Sequence, residues 1–166
     1  LSIGLAEESA VSFNRRVVMR DGTVKTHGSL KDPGAVALEG PVDPEVRVLA
    51  FRAPAGAPLG LLVHHALHPT HHGDDEIFSA GWPGALCAAL EASGWPRAVF
   101  LQGALGDVHH QDPSGATRHS PEEIGARLAA AALRAVASAQ PGADLVGAAS
   151  ADLRLPYRDA TESEIR

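Results

Sequence analysis

The alternation of apolar and polar positions is clearest in the middle of the chain. Val46-Arg47-Val48-Leu49-Ala50-Phe51 predicts a strand, Pro54-Ala55-Gly56-Ala57-Pro58 a turn, and Leu59 to Leu67 a second, more buried strand that pairs with the first as a hairpin. Residues 82–93 predict a short helix, with Pro83 in its first turn and Gly94 just past its end. Arg97-Ala98-Val99-Phe100-Leu101-Gln102 predicts another buried strand. The next helix has the best-marked start in the chain: Ser120 as N-cap, Pro121 as first helical residue and Glu123 completing a capping box. Ile124, Leu128, Ala131, Ala132 and Ala135 then form one broad apolar face, with Arg127 and Arg134 opposite. Gln140-Pro141-Gly142 stops that helix, and residues 144–155 predict a last strand.

Toward the N-terminus the pattern is less regular. The chain opens on a strand-like run. Arg16-Val17-Val18-Met19-Arg20 and Thr23-Val24-Lys25-Thr26 flank Asp21-Gly22, which predicts a two-residue hairpin with positive φ at both central positions. Residues 27–45, rich in Gly, Pro and Asp and without periodicity, predict a long loop. From residue 59 the order is therefore strand, helix, strand, helix, strand. Such alternation implies parallel strands joined by right-handed crossovers. The expected class is α/β: a mixed sheet with a parallel β-α-β-α-β core, an N-terminal β-hairpin and flanking helices. Parallel neighbours share the edge on which their C-terminal ends lie, and ligand crevices in open α/β sheets form there.

Composition narrows the picture. With 166 residues, 45% apolar and 20% charged, the chain is long enough for one domain with a real core, built mostly from Ala, Leu and Val because aromatics make up only 4%. The formal net charge of −6 argues against a nucleic-acid or anionic-membrane partner held by bulk electrostatics. The single cysteine, Cys87, excludes an internal disulfide and a multi-cysteine metal site. No stretch approaches the ~18 apolar residues of a membrane span. The compartment is left open. A first residue Leu1 and an immediate strand suggest a piece of a longer protein.

Candidate chemistry concentrates at two strand ends. Five of the nine histidines fall in His64-His65-Ala66-Leu67-His68-Pro69-Thr70-His71-His72. Imidazole is the commonest protein ligand for transition metals and suits proton transfer near neutrality. Pro69 disfavours helical backbone at His68, so a helical His68/His72 pair is not expected. An extended chain instead puts His64 and His68 on one side, with His68 at the strand end facing the crevice. His64 and His65 read equally as core or rim residues, and His71 and His72 as solvated ones. The other strand ends in Gly103-Ala104-Leu105-Gly106-Asp107-Val108-His109-His110-Gln111-Asp112. A metal ligand beside a His/Asp pair suits metal-assisted hydrolysis. The bland alternative is a surface turn capped by Asp107. Asn14-Arg15-Arg16 is a basic spot in an acidic chain, either oriented toward a substrate oxygen or simply solvated. Trp82, Trp95 and Cys87 read as packing residues.

Asn14-Arg15-Arg16, Gly40-Pro41-Val42-Asp43-Pro44 and the strand after it, His68-Pro69-Thr70, Ser79-Ala80-Gly81-Trp82-Pro83-Gly84 and Gln102-Gly103-Ala104-Leu105-Gly106-Asp107-Val108 occur in that order. In these segments the chain resembles the N-terminal catalytic domain of neutral/alkaline non-lysosomal ceramidases and their bacterial relatives. Leu155-Pro156-Tyr157-Arg158 also resembles the family's later strand. The resemblance implies a zinc-dependent hydrolase of an amide, in ceramidases the N-acyl bond of a sphingoid base, and thus a small-molecule or lipid amide substrate. It implies zinc held by two histidines, a glutamate and a tyrosine, of which His68 matches one histidine. The other histidine would precede Leu1, and the glutamate and tyrosine would follow Arg166, so residues 1–166 would be one incomplete part of a larger catalytic domain. Arg15 matches an arginine of the family's active site and is expected to contact substrate. Two positions depart from the pattern. The family's catalytic serine directly after Gly-Asp-Val is here His109, so serine-based chemistry is not available there, and Gly81 stands where many relatives carry an acidic residue. The expected site therefore comprises His68 on zinc, Arg15 on substrate, and His109 with Asp107 moving a proton or positioning substrate. The competing expectation is a non-catalytic α/β domain that binds a ligand in the same crevice.

Overall fold

The structure is a computed structural model that describes residues 1–71, 77–142 and 147–156. In chain order its elements are β1 (Ser2–Glu7), β2 (Phe13–Asn14), β3 (Arg16–Met19), β4 (Val24–Thr26), β5 (Ala35–Leu38), β6 (Glu45–Arg52), β7 (Pro58–His65), α1 (Gly81–Ala92), β8 (Ala98–Gln102), β9 (Val108–His109), α2 (Pro121–Ala137) and β10 (Gln140–Pro141). The class is mixed α/β. A five-stranded sheet runs in the order β10-β1-β6-β7-β8. The β6–β7 hairpin forms antiparallel, and β7 and β8, joined through α1, pair in parallel from Leu61↔Ala98 to His65↔Gln102.

Period-two patterning decides which face each strand buries. Val46, Val48 and Ala50 of β6 and Leu61, Val63 and His65 of β7 point to the helix-covered face and are buried. Trp82, Leu86 and Leu90 of α1 meet them there with Ile124, Leu128, Ala131, Ala132 and Ala135 of α2, the apolar face anticipated from the sequence. Each large side chain so buried stabilises by roughly 1.5–3 kcal/mol. The capping box of α2 is present in full, with Ser120 Oγ accepting from the Glu123 N–H and the Glu123 carboxylate accepting from the Ser120 N–H. Such a cap contributes about 1 kcal/mol. Gly125 allows the two helices to close: a Cβ there would lie 2.6 Å from both the Ala85 Cβ and the Leu86 nitrogen. Cys87 is half-buried on α1, and burial pushes its thiol up, toward the inert protonated form. The opposite sheet face leaves Ile3, Leu5, Phe51, Leu59, Val99 and Leu101 exposed. Among the described residues no helix is long and apolar enough to cross a membrane.

Several expectations change. The β3–β4 hairpin forms, but its turn is not the two-residue type. Only Gly22 has positive φ, at 84°, and the Gly22 N–H bonds the Met19 carbonyl while the Met19 N–H bonds that of Thr23. Asp21 does not take a positive φ, and its carboxylate accepts the Thr23 N–H and hydroxyl. The stretch 27–45 is not all loop: β5 pairs with β3 inside it, from Val17↔Leu38 to Met19↔Ala35. Strand β7 stops at His65, so the alternation linking His64 to His68 does not extend that far. Of the last predicted strand, residues 144–146 lie outside the described residues, and 147–155 carry no strand. The chain leaves α2 through β10, antiparallel to β1, so β7–β8 is the one parallel pair among the described residues.

Candidate active site

Because β7 and β8 run parallel, the loops that follow them leave the same sheet edge. They are stitched together at once, the Gly103 N–H donating to the His65 carbonyl at 3.0 Å. The first loop carries His68 and Thr70, the second Asp107, His109 and His110. A small antiparallel pair, β2–β9, matches Phe13 with His109 and Asn14 with Val108, and so delivers Arg15 to the same place. The four residues singled out from sequence, Arg15, His68, Asp107 and His109, thus converge around one loop.

Hydrogen bonds fix the state of each imidazole. His68 donates through Nδ1 to the Val108 carbonyl at 2.9 Å, and its own carbonyl accepts from the Trp82 indole N–H at 3.0 Å. Trp82 is therefore a packing residue that also anchors the His68 backbone. Among the described residues the His68 Nε2 makes no hydrogen bond, and the side chain is half-buried. An N–H tied to a carbonyl with the other nitrogen open is the arrangement found in metal-bound histidines. His109 is different. Its Nδ1 accepts the Gln111 N–H at 3.1 Å, so the proton sits on Nε2 and is directed at the Thr70 hydroxyl at 3.2 Å. Burial, together with His110, His27, His68 and Arg15 nearby, pushes His109 down to about 4. It is neutral at physiological pH, with both nitrogens engaged.

Asp107 accepts from the Asn14 amide at 3.0 Å, and its carbonyl accepts from the Arg15 N–H at 2.8 Å. The Arg15 guanidinium donates to the Gly106 carbonyl at 2.7 Å and to the His27 Nε2 at 2.8 Å. Arg16 turns away and pairs with Glu39. Of the basic triplet, one residue is thus committed to the site and one to a surface ion pair.

Sequence reasoning missed His27 and His110. His27 has φ 58°, a left-handed conformation uncommon outside glycine, and its ring meets that of His109 edge-on at 5.2 Å. Burial, then Arg15 and His68, lowers its pKa. His110 stacks on His71 with ring centroids 3.9 Å apart and donates to the Thr70 carbonyl at 2.7 Å. Burial lowers its pKa as well. The only available signals were the His27-Gly28 step and the doubled His109-His110, neither of which names a role. The remaining cluster histidines separate. His64 lies on the open sheet face near Arg47, His65 is in the core, and His71 donates to the His119 carbonyl. His72 lies outside the described residues.

Among the described residues no three His, Cys, Asp or Glu side chains are grouped so as to hold a metal ion. His68 by itself fits a zinc ligand, with the open nitrogen and oriented ring such a ligand needs. The described residues supply one donor, not a complete zinc site.

No protein-family model matches the sequence, and no curated protein does. Solved structures do. A ceramidase complexed with C2 superposes with TM-score 0.61 and 22% identity, and the neutral ceramidase from Pseudomonas aeruginosa with TM-score 0.59 and 22% identity. Each match covers 82% of this chain and 22% of the neighbour's, so the chain spans about a fifth of the length of the proteins it resembles. At this identity the likeness is one of fold: the chain shares its mixed α/β architecture with part of the neutral ceramidases.

Proposed function

We propose that the chain is part of the catalytic unit of a ceramidase-like, zinc-dependent hydrolase that cleaves an amide bond, with an N-acyl lipid amide as its substrate class. The observation that carries this reading is His68, whose Nδ1 is bonded to the Val108 carbonyl while its Nε2 makes no hydrogen bond among the described residues, in a fold shared with ceramidases. In this reading His68 holds the metal through Nε2, and the remaining donors come from outside the described residues. Zinc, when bound, supplies Lewis acidity for attack of water on the amide carbonyl. Arg15, immobilised by Gly106 and His27, presents its guanidinium edge to a polar group of the substrate. Asp107 holds Asn14 and thereby the β2–β9 pair that places Arg15.

For His109 the geometry supports positioning over proton transfer. A base must offer a lone pair, and the Nδ1 lone pair of His109 already accepts from Gln111. The same observation favours a second reading, a crevice that binds a ligand without hydrolysing it. Zinc content and hydrolysis of N-acyl amides, measured on the whole protein that supplies the remaining donors, separate the two. The hydrolase reading expects zinc retained through dialysis, affinity lowered about 100-fold or more in His68→Ala, and turnover lost with the metal. Zinc binding that His68→Ala leaves unchanged removes the metal assignment. Zinc binding without turnover of any N-acyl amide leaves the binding domain.

A further inference from the structure

Beside His109 a cavity of about 140 Å³ opens between Arg15, His27, Ser29, Lys31 and Asp112. That is roughly ten times the ~10–15 Å³ needed to admit one water. Its charge is unusual for an acidic chain, because two permanent cations face it and its one carboxylate is already engaged. Asp112 Oδ1 accepts the Ser114 N–H, and Oδ2 accepts from the Ser114 and Thr117 hydroxyls and from the Ala116 and Thr117 N–H groups. The Lys31 ammonium has no hydrogen-bond or ion-pair partner among the described residues, in contrast to Lys25, which pairs with Asp32. It rests against Gly115, where a Cβ would come within 2.6 Å of the Lys31 Nζ. Arg15 adds a second unmet demand. Two of its nitrogens bond His27 and Gly106, while its buried Nε finds no acceptor among the described residues.

We propose that this cavity is an oxyanion subsite, in which Lys31 and the Arg15 guanidinium take a carboxylate or phosphate group. Guanidinium with ammonium is a combination suited to such groups, the first by directed donors and the second as a point charge. The His27 imidazole holds Arg15 from behind, and the neutral His109 ring forms part of the wall without adding charge. On the hydrolase reading above, on which this step rests, the amide substrate carries an anionic group one cavity away from His68. Arg15 and His27 line the cavity together with His109, whereas His68, with its ring centroid 5.9 Å from that of His109, does not line it.

The subsite is tested by binding alone, so its failure is separable from failure of the hydrolase reading. Inorganic phosphate and acetate are titrated into the metal-free protein, followed by calorimetry and by the histidine ring resonances. At least one anion is expected to bind and to shift His27 and His109. Lys31→Met, at an exposed position, is expected to weaken binding about tenfold, Lys31→Arg to preserve it, and His68→Ala to leave it unchanged. Tighter binding of phosphate assigns a phosphorylated ligand; tighter binding of acetate assigns a carboxylate. Binding of neither anion, or binding indifferent to Lys31→Met, overturns the proposal.

Discussion

His65 and His68 lie three residues apart, yet the fold gives them opposite situations. His65 is fully buried, donates through Nδ1 to the Glu45 carbonyl at 3.0 Å and accepts at Nε2 from the Ser12 hydroxyl at 2.9 Å. Every polar atom of its ring is used. His68, past the end of β7, uses one nitrogen and leaves the other without a hydrogen bond among the described residues. Imidazole chemistry alone therefore does not separate the two residues; what separates them is that only His68 keeps an unspent ring nitrogen. The first way to break this contrast is truncation. His65→Ala should cost about 3 kcal/mol or more, because it empties core volume and strands both the Ser12 hydroxyl and the Glu45 carbonyl. His68→Ala in the metal-free protein should cost about 1 kcal/mol, the worth of one half-buried hydrogen bond. Urea midpoints of the two variants check this, and equal losses would dissolve the distinction.

Acid should sharpen the same contrast. His65, His109 and His110 are all held below the ordinary imidazole value, chiefly by burial, with His109 at about 4. Each is neutral in the folded chain, whereas the unfolded chain protonates near ~6.5. Below that pH the unfolded state binds more protons, so stability present above ~6.5 is lost as pH falls toward the folded values. The slope is up to ~1.4 kcal/mol per pH unit for each such ring, and the share of His109 levels off below about 4. Denaturation midpoints between pH 7.5 and 4.5 measure the slope, and ring-proton titration assigns it. A flat stability profile, or a His109 that titrates near 6.5, would mean that these rings are not buried as described.

The parts of the fold legible in the sequence are those encoded locally. The α2 start was readable because cap, proline and glutamate act within four residues, and β6 and β7 because their alternation spans whole strands. β5 was hidden because Ala35-Val36-Ala37-Leu38 lies in a Gly/Pro-rich stretch and is only partly buried; its partner β3, not its own pattern, makes it a strand. The exit through β10 depends on a long-range pairing with β1 that no local signal carries. At the site, residue types at two strand ends pointed to His68, Asp107 and His109, and a basic spot together with the ceramidase resemblance pointed to Arg15. Their states could not be read the same way. That His68 donates to Val108, and that His109 spends Nδ1 on Gln111, follow from where the β2–β9 pair sets the loop. His27 and Lys31 reach the crevice from the distant hairpin side and carried no motif.

A smaller loss than that of His65→Ala probes the buried side of the contrast most directly. Ser12 and His65 form a hydroxyl–imidazole contact at 2.9 Å, the distance of an activated nucleophile and its base. Ser12 is 2% exposed and His65 0%, so no substrate carbonyl can approach the hydroxyl, and the ring's second nitrogen leans on a backbone carbonyl instead of a carboxylate. The pair therefore ties the β1–β2 connection to β7 and serves stability. Ser12→Ala should cost about 1–2 kcal/mol, because the His65 Nε2 is left as an unpaired acceptor in the core. It should leave zinc binding and anion binding unchanged. A fluorophosphonate probe should leave Ser12 unmodified in the native protein, as judged by mass spectrometry of the digested chain. A Ser12 adduct that forms without unfolding and is lost in His65→Ala would reverse the assignment, making the buried pair the reactive one and the open His68 the structural neighbour.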